Sequence, residues 1–319
     1  MKTLAIASMT FKEAIRHSSG LMTCFLLTLL MLSAPAFSTF AMSGGAELLR
    51  SNLLSTFMLG GVIYLSIIST SLFYKEISSG TILSLLSKPV SIPAYYLGKL
   101  LGIMCALILY FFILTTVGWM STITGTPDTA STVYNFIPML SLSFGLLALA
   151  ILAGILNYIL EFNIISFIFG GWFFLNPLIL AFTYWLSPSL ELPLPDHAIV
   201  IEFLKAAGMM LLLLIVICSF SVALSSFTGP LLNLVFCIIF LLLCLMSTGL
   251  QESLSSGEGA IHHTLALIPD FHLFWMAEMI HLKRLITWTY LIDGAAYALS
   301  LSAAFSCMGI FALLKRDYT

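Results

Sequence analysis

The chain has 319 residues, 60% of them apolar and only 8% charged, with a mean hydropathy of +1.10 and a formal net charge of −2. So few charges cannot cover a soluble globular surface, and no nucleic-acid partner is expected. Apolar runs of about 20 residues recur, as helical crossings of a bilayer require, whereas a transmembrane barrel would show short alternating segments. The expected fold class is therefore all-α, a polytopic integral membrane helical bundle forming one domain over residues 1–319.

Residues 1–19 read as an interfacial helix, with Leu4, Phe11 and Ile15 on one side and Lys12 and Arg16 on the other. A secretory signal cleaved near Ala34-Pro35-Ala36 fits less well, because the basic region is long and the apolar run continues to about Met42. Crossings are expected at 20–42, 53–74, 97–119, 137–160, 164–186, 203–224, 229–250 and 286–314, about eight in all, so both termini share one side. Lys2, Lys12, Arg16, Lys75, Lys88, Lys99, Lys315 and Arg316 then lie on the side of the termini, against Arg50, Lys205, Lys283 and Arg284 on the other. That bias favours N-in, C-in.

Between the second and third crossings, residues 75–96 are polar and punctuated by proline. Thr81 to Ser87 place Ile82, Leu83, Leu85 and Leu86 on one helical stripe with Ser84 and Ser87 opposite, and Pro89 biases Lys88 out of helix. Such a helix either docks on a partner or lies flat on the membrane. Ser91 and Pro93 offer a start for the next helix.

The stretch 137–186 is interrupted only by Glu161-Phe162-Asn163. A charge at mid-bilayer costs at least about 2.5 kcal/mol, so Glu161 belongs at a turn and the stretch reads as a helical hairpin. A short turn, Ser225-Ser226-Phe227-Thr228-Gly229-Pro230, separates two later spans. The outer loop 251–285 carries His262, His263, His272 and His281. A metal site needs converging ligands, and adjacent histidines point to different faces, so an interfacial segment is preferred, with Phe271, Phe274, Trp275, Met276 and Met279 at headgroup level. Asp293, the one acid inside an apolar run, reads as an interface residue. The six cysteines sit in apolar runs as small hydrophobes and form no CxxC pair.

No phosphate loop, H-E-x-x-H or G-x-S-x-G motif occurs, so no catalytic residues, metal or cofactor are expected, and the chain is not read as an enzyme. Any use of ATP would fall to another chain.

Several fragments fall in one co-linear order: Thr10-Phe11-Lys12-Glu13-Ala14-Ile15-Arg16, Tyr74-Lys75-Glu76, Gly80-Thr81, Leu86-Ser87-Lys88-Pro89-Val90-Ser91, Leu97-Gly98-Lys99, Ser225 to Pro230, Ile268-Pro269-Asp270-Phe271 and Leu314 to Asp317. Together they resemble the type-2 ABC transporter permeases. The resemblance implies that residues 1–19 are an elbow helix and that 75–96 are a cytoplasmic loop docking on a separate ATPase through Glu76, Gly80, Thr81, Ile82, Leu85, Leu86 and Pro89. Ser225, Ser226 and Phe227 would form a second cytoplasmic turn.

It further implies the membrane-spanning permease subunit of an ATP-driven export system in the cytoplasmic (inner) membrane. Its partners would be two ATPase subunits, a second permease chain in a homo- or heterodimer, and membrane lipid. Two departures stand out: Ile92 replaces a basic residue common after Pro-Val-Ser, and the usual permease has six spans, so 137–186 reads as an extra hairpin. A secondary ion-coupled carrier remains the alternative function, and a membrane-embedded enzyme a more distant one. The substrate is not legible in the sequence.

Overall fold

The computed structural model describes residues 2–38, 45–78, 91–124, 134–161, 163–247, 249, 268–276 and 285–315. Helix dominates because backbone groups in hydrocarbon must be paired within their own segment. In chain order the long elements are α1 (Lys2–Arg16), α2 (Ser18–Ser38), α3 (Gly45–Ser69), α4 (Ile92–Thr124), α5 (Ile137–Leu160), α6 (Ile164–Leu186), α7 (His197–Ser225), α8 (Pro230–Leu245) and α9 (Trp288–Leu314). No strand occurs among the described residues. Helix α3 runs on through a π-helical turn, Thr70–Tyr74, into the short helix Lys75–Ser78. Among the described residues, seven helical stretches are long and apolar enough to cross a membrane, and α8, at 16 residues, is a shorter apolar helix.

The bundle is assembled around α3, the most enclosed of these spans. Gly60 and Gly61 let neighbours approach on two sides: a Cβ would stand 2.2 Å from Leu27 of α2 at the first and 2.5 Å from Leu214 of α7 at the second. One turn further, Tyr64 stacks on Tyr110 of α4 with ring centroids 4.0 Å apart. Pro35 inside α2 has no N–H for the carbonyl of Met31, and Ser121 of α4 donates to that carbonyl at 2.6 Å. The proline break in one helix thus becomes a tie to another.

Helix α1 packs along the start of α4 through small residues. A Cβ at Gly98 would lie 2.8 Å from Ile6 Cβ and 3.0 Å from the Thr3 carbonyl; at Gly102 it would lie 2.6 Å from Thr10 Cβ and 2.7 Å from the Ala7 carbonyl. This is the small-xxx-small contact of membrane helices. Ala7, Thr10 and Ala14 are buried along it and Phe11 and Ile15 pack beside it, while Leu4 is 68% exposed. Close backbone approach, rather than side-chain size, selects the stripe.

The pair α5 and α6 lies at the edge, with α5 buried only at Pro138, Leu142 and Ala153. Its turn places Glu161 in the left-handed region (φ 54°) and uses Asn163 as an N-cap that accepts from the Ser166 N–H at 3.1 Å. At the opposite end, buried Asn135 donates to Ser187 Oγ (2.8 Å) and the Pro193 carbonyl (3.2 Å) and accepts from the Ile137 N–H. Midway, Asn176 of α6 donates to the Ile113 carbonyl (3.1 Å) and Thr116 Oγ1 (2.8 Å) of α4. Interhelical hydrogen bonds of this kind contribute about 0.6 kcal/mol each on average.

Two differences from expectation concern the other end of the bundle. The crossing expected at 229–250 stops as regular helix at Leu245, and the Cys244 carbonyl accepts from the Phe271 N–H at 3.2 Å. Phe271, Phe274 and Met276 are buried rather than spread at headgroup level: Phe271 meets Phe240 edge-on at 5.5 Å and Phe274 stacks on Tyr297 at 6.0 Å. The segment 268–276 therefore caps the short helix and extends its packing. His272 is exposed, whereas His262, His263, Met279 and His281 lie outside the described residues. Nearby, Glu202 and Lys205 of α7, 2.8 Å apart, hold both backbone groups of Ile286, the N–H at 2.9 Å and the carbonyl at 2.8 Å. That clamp fixes the start of α9.

Candidate functional site

At the end of the bundle that carries α1, the chain leaves α3 at residue 78 and returns at 91. Both roots of this excursion are built from the fragments singled out in the sequence. Glu76 stands in the first root, and Tyr95 and Lys99 stand on successive turns of α4, a helix with Pro93 in its first turn.

Lys99 is 3% exposed, so its ammonium needs partners. It donates to Glu76 Oε1 at 2.6 Å and to the Leu72 carbonyl at 3.0 Å, with Glu13 of α1 3.8 Å away. The Tyr95 hydroxyl donates to the other oxygen of Glu76. The carboxylate is thus held from two directions, and one ammonium joins α1, α3 and α4.

Leu72 lies in the π-turn, where bonds close over five residues, as the Lys75 N–H does on Thr70, and an extra residue is accommodated in the helix. A cation is well placed at a carbonyl freed by such a turn. The turn is also gripped by aromatic rings: Phe73 lies between Tyr95 and Tyr96, each centroid 5.8 Å away, the second edge-on. Tyr96 in turn meets α9 closely, since a Cβ at Gly309 would be 2.4 Å from its hydroxyl.

The second predicted turn comes to the same place. Ser225 ends α7 and is buried together with Ser226, while Phe227 is 56% exposed. The turn closes by the Phe227 N–H on the Leu224 carbonyl at 2.9 Å, and Pro230 at the start of α8 fixes the exit. A Cβ on Gly229 would stand 3.9 Å from the Tyr74 ring, so this turn abuts the π-turn.

Just inside, a buried polar knot ties the three helices. Ser69 Oγ and Ser221 Oγ are 2.6 Å apart, and Asn233 of α8 donates to them at 3.1 Å and 3.0 Å. Cys237 Sγ donates to Asn233 Oδ1 at 3.5 Å.

His17, in the break between α1 and α2, completes this end. Its ring lies 2.6 Å from Ser19 Oγ. Burial, then the Lys75 ammonium, push its pKa below the ordinary value, with Glu13 opposing.

Of the predicted docking residues, Glu76 is placed in this cluster, while Gly80, Thr81, Ile82, Leu85, Leu86 and Pro89 lie outside the described residues; Ser225, Ser226 and Phe227, predicted as a second turn, border the cluster. The sequence reading missed the roles of Lys99, Tyr95, Ser69, Ser221 and Asn233. A lysine and an acid flanking one loop were a signal; the serines and asparagine, one each on separate helices, gave none. Nothing here is a catalytic constellation. Among the described residues no three His, Cys, Asp or Glu converge as a metal site. What the arrangement can do is mechanical: it fixes the two roots of one loop to each other, to a deformable helical turn and to a second turn.

Comparison with protein families decides what such a bundle belongs to. The family described as ABC-2 family transporter protein matches residues 14–188, more than half of the 319-residue chain. The chain belongs to the ABC-2 transporter family. It is a multi-pass membrane permease component of an ABC transporter, a transport subunit that is not itself catalytic. The matched stretch covers the last three residues of α1, the π-turn, Glu76, Lys99 and the whole α5–α6 pair, and ends before α7. No curated relative matches the chain at a significant level.

Proposed function

We propose that this ABC-2 permease is the membrane-spanning subunit of an ATP-driven exporter, with the α1 end in the cytoplasm and residues 75–96 docked on a separate ATPase. The observation that carries this reading is the Glu76–Lys99–Leu72 connection. A loop that only crossed the membrane surface would not need both roots tied by a buried ion pair to a π-turn. Two ATPase subunits and a second permease chain complete the assembly.

When ATP closes the ATPase pair, the docked loop is displaced. Because Lys99 holds Glu76, the ends of α3 and α4 move as one body rather than splaying. The π-turn absorbs part of that motion, since losing or regaining one residue in the turn rotates the rest of α3. The Ser69–Ser221–Asn233 knot passes the rotation to α7 and α8, and the small-residue contact carries α1 along with α4. Ile82, Leu85 and Leu86 are the anchors in the partner's cleft.

The test is the Leu85→Ala, Leu86→Ala double variant, scored by ATPase copurified per permease and by ATP turnover of the reconstituted complex. Losing a buried leucine at an interface core costs on the order of 2 kcal/mol or more, so association or linked hydrolysis should fall at least about tenfold, with membrane insertion unchanged. A variant that keeps its ATPase and its turnover, like a Ser255→Ala control, removes the docking assignment.

A further inference from the structure

A groove of about 600 Å³ runs between α2 and the α5–α6 pair, away from the loop roots. Leu21, Phe25 and Leu29 form one wall, Ala150 of α5 and Ile168 and Trp172 of α6 the other. The lining positions on α2 run from Leu21 to Leu29, about 12 Å of helix, from next to the α1–α2 break toward the bundle middle. An acyl chain fits those dimensions, but apolar lining alone would suit any hydrocarbon.

Two further features narrow the occupant. Arg16, at the end of α1 and just before α2, and Lys12, one turn earlier, are exposed cations at the end of the bundle where the groove begins. They supply charge complementary to a phosphate. Trp172, which lines the groove, is 1% exposed, yet its indole N–H has no hydrogen-bond partner among the described residues. A buried donor without an acceptor is destabilising, so an occupant that brings an acceptor gains over plain hydrocarbon. In a phospholipid, the ester carbonyls are the acceptors that enter the membrane furthest.

We propose that this groove is a binding site for one anionic phospholipid of the leaflet facing α1, with its headgroup on Arg16 and Lys12 and an acyl chain along α2 against Trp172. The lipid acts as a wedge between the peripheral helix pair and the rest of the bundle. The site stands apart from ATPase docking, and its test does not involve ATP.

Native mass spectrometry of the purified full chain, with equimolar phosphatidylglycerol and phosphatidylcholine, reads the preference directly. Wild type should retain phosphatidylglycerol selectively. Arg16→Gln and Lys12→Gln should each lower that retention about fivefold, the effect of one cation near an anionic surface. Both side chains are exposed, so folding is not at stake. Ala150→Phe, which fills the groove from an exposed position of α5, should lower retention of phosphatidylglycerol while the cations remain.

A second readout uses Trp172 itself. In a chain with the other tryptophans changed to Phe, phosphatidylglycerol brominated on its acyl chain should quench the indole more than brominated phosphatidylcholine does. Equal retention and equal quenching by the two lipids overturn the proposal. So does a preference that the Gln variants abolish but Ala150→Phe leaves untouched, since the headgroup would then bind without the groove.

Discussion

Replacing Lys99 by Met keeps the buried stem and removes the charge at the centre of the loop-root cluster. At an effective dielectric of about 20, unit charges separated by the 2.6 Å of Lys99 and Glu76 attract by roughly 6 kcal/mol, most of which desolvation offsets. What the variant exposes is the cost of leaving Glu76 without its cation and the Leu72 carbonyl without its donor. Breaking a fully buried pair costs about 3–5 kcal/mol; Glu76 is 24% exposed and keeps the Tyr95 hydroxyl, so the low end, about 3 kcal/mol, applies. For a chain of this size that is a fall in melting temperature of about 4–5 °C in detergent. The double variant Lys99→Met, Glu76→Gln should recover part of the loss, because no uncompensated charge remains. Thermal scans at one fixed heating rate on wild type, both single variants and the double variant complete the cycle. If Lys99→Met melts within about 1 °C of wild type, or the double variant equals the sum of the singles, the loop roots are not joined as described.

Gly102→Val should detach α1 from α4, because its Cβ would meet the Ala7 carbonyl at 2.7 Å and backbone cannot yield as a side-chain tip can; cysteine cross-linking between the two helices should fall sharply while α2 to α9 remain inserted. Asn233→Leu should cost about 1–2 kcal/mol by removing its bonds to Ser69 and Ser221, read as a lower thermal midpoint, and an unchanged midpoint would deny the knot any role. His17, with a folded pKa below its ordinary 6.5, binds fewer protons folded than unfolded just under that pH. Its contribution is therefore full above about pH 6.5 and is lost as the pH falls toward the lower folded value, so His17→Asn should flatten the acid side of the stability profile there.

Legibility of this chain from its sequence varied with the kind of signal. The bounds of α5 and α6 coincide with those expected, because Glu161 and Asn163 are polar where hydrocarbon forbids it. Helix α3 begins earlier than its apolar run, since Arg50 bonds back to the Ala46 carbonyl at 3.0 Å and a helix end tolerates polar residues outside hydrocarbon. The end of α8 depended on a partner 27 positions away in sequence, Phe271 on Cys244, which no local pattern encodes. Helix α1 was legible as an amphipathic helix, but its seat on α4 was not drawn from the Gly98 and Gly102 spacing, which was visible. Glu76 was legible as a loop root. Its bond to Lys99 across 23 residues was not, and the π-turn beneath it has no compositional mark.

The central claim is that residues 75–96 are the contact through which a separate ATPase drives this permease. A photo-reactive amino acid placed at Ser87, activated in native membranes, tests that contact directly, with Gly257 as the control position. The account predicts a cross-linked product at Ser87 that contains a nucleotide-binding ATPase with a phosphate loop, and none at Gly257. Cross-linking of Ser87 to lipid alone, in membranes where the transporter is assembled and hydrolyses ATP, would contradict it.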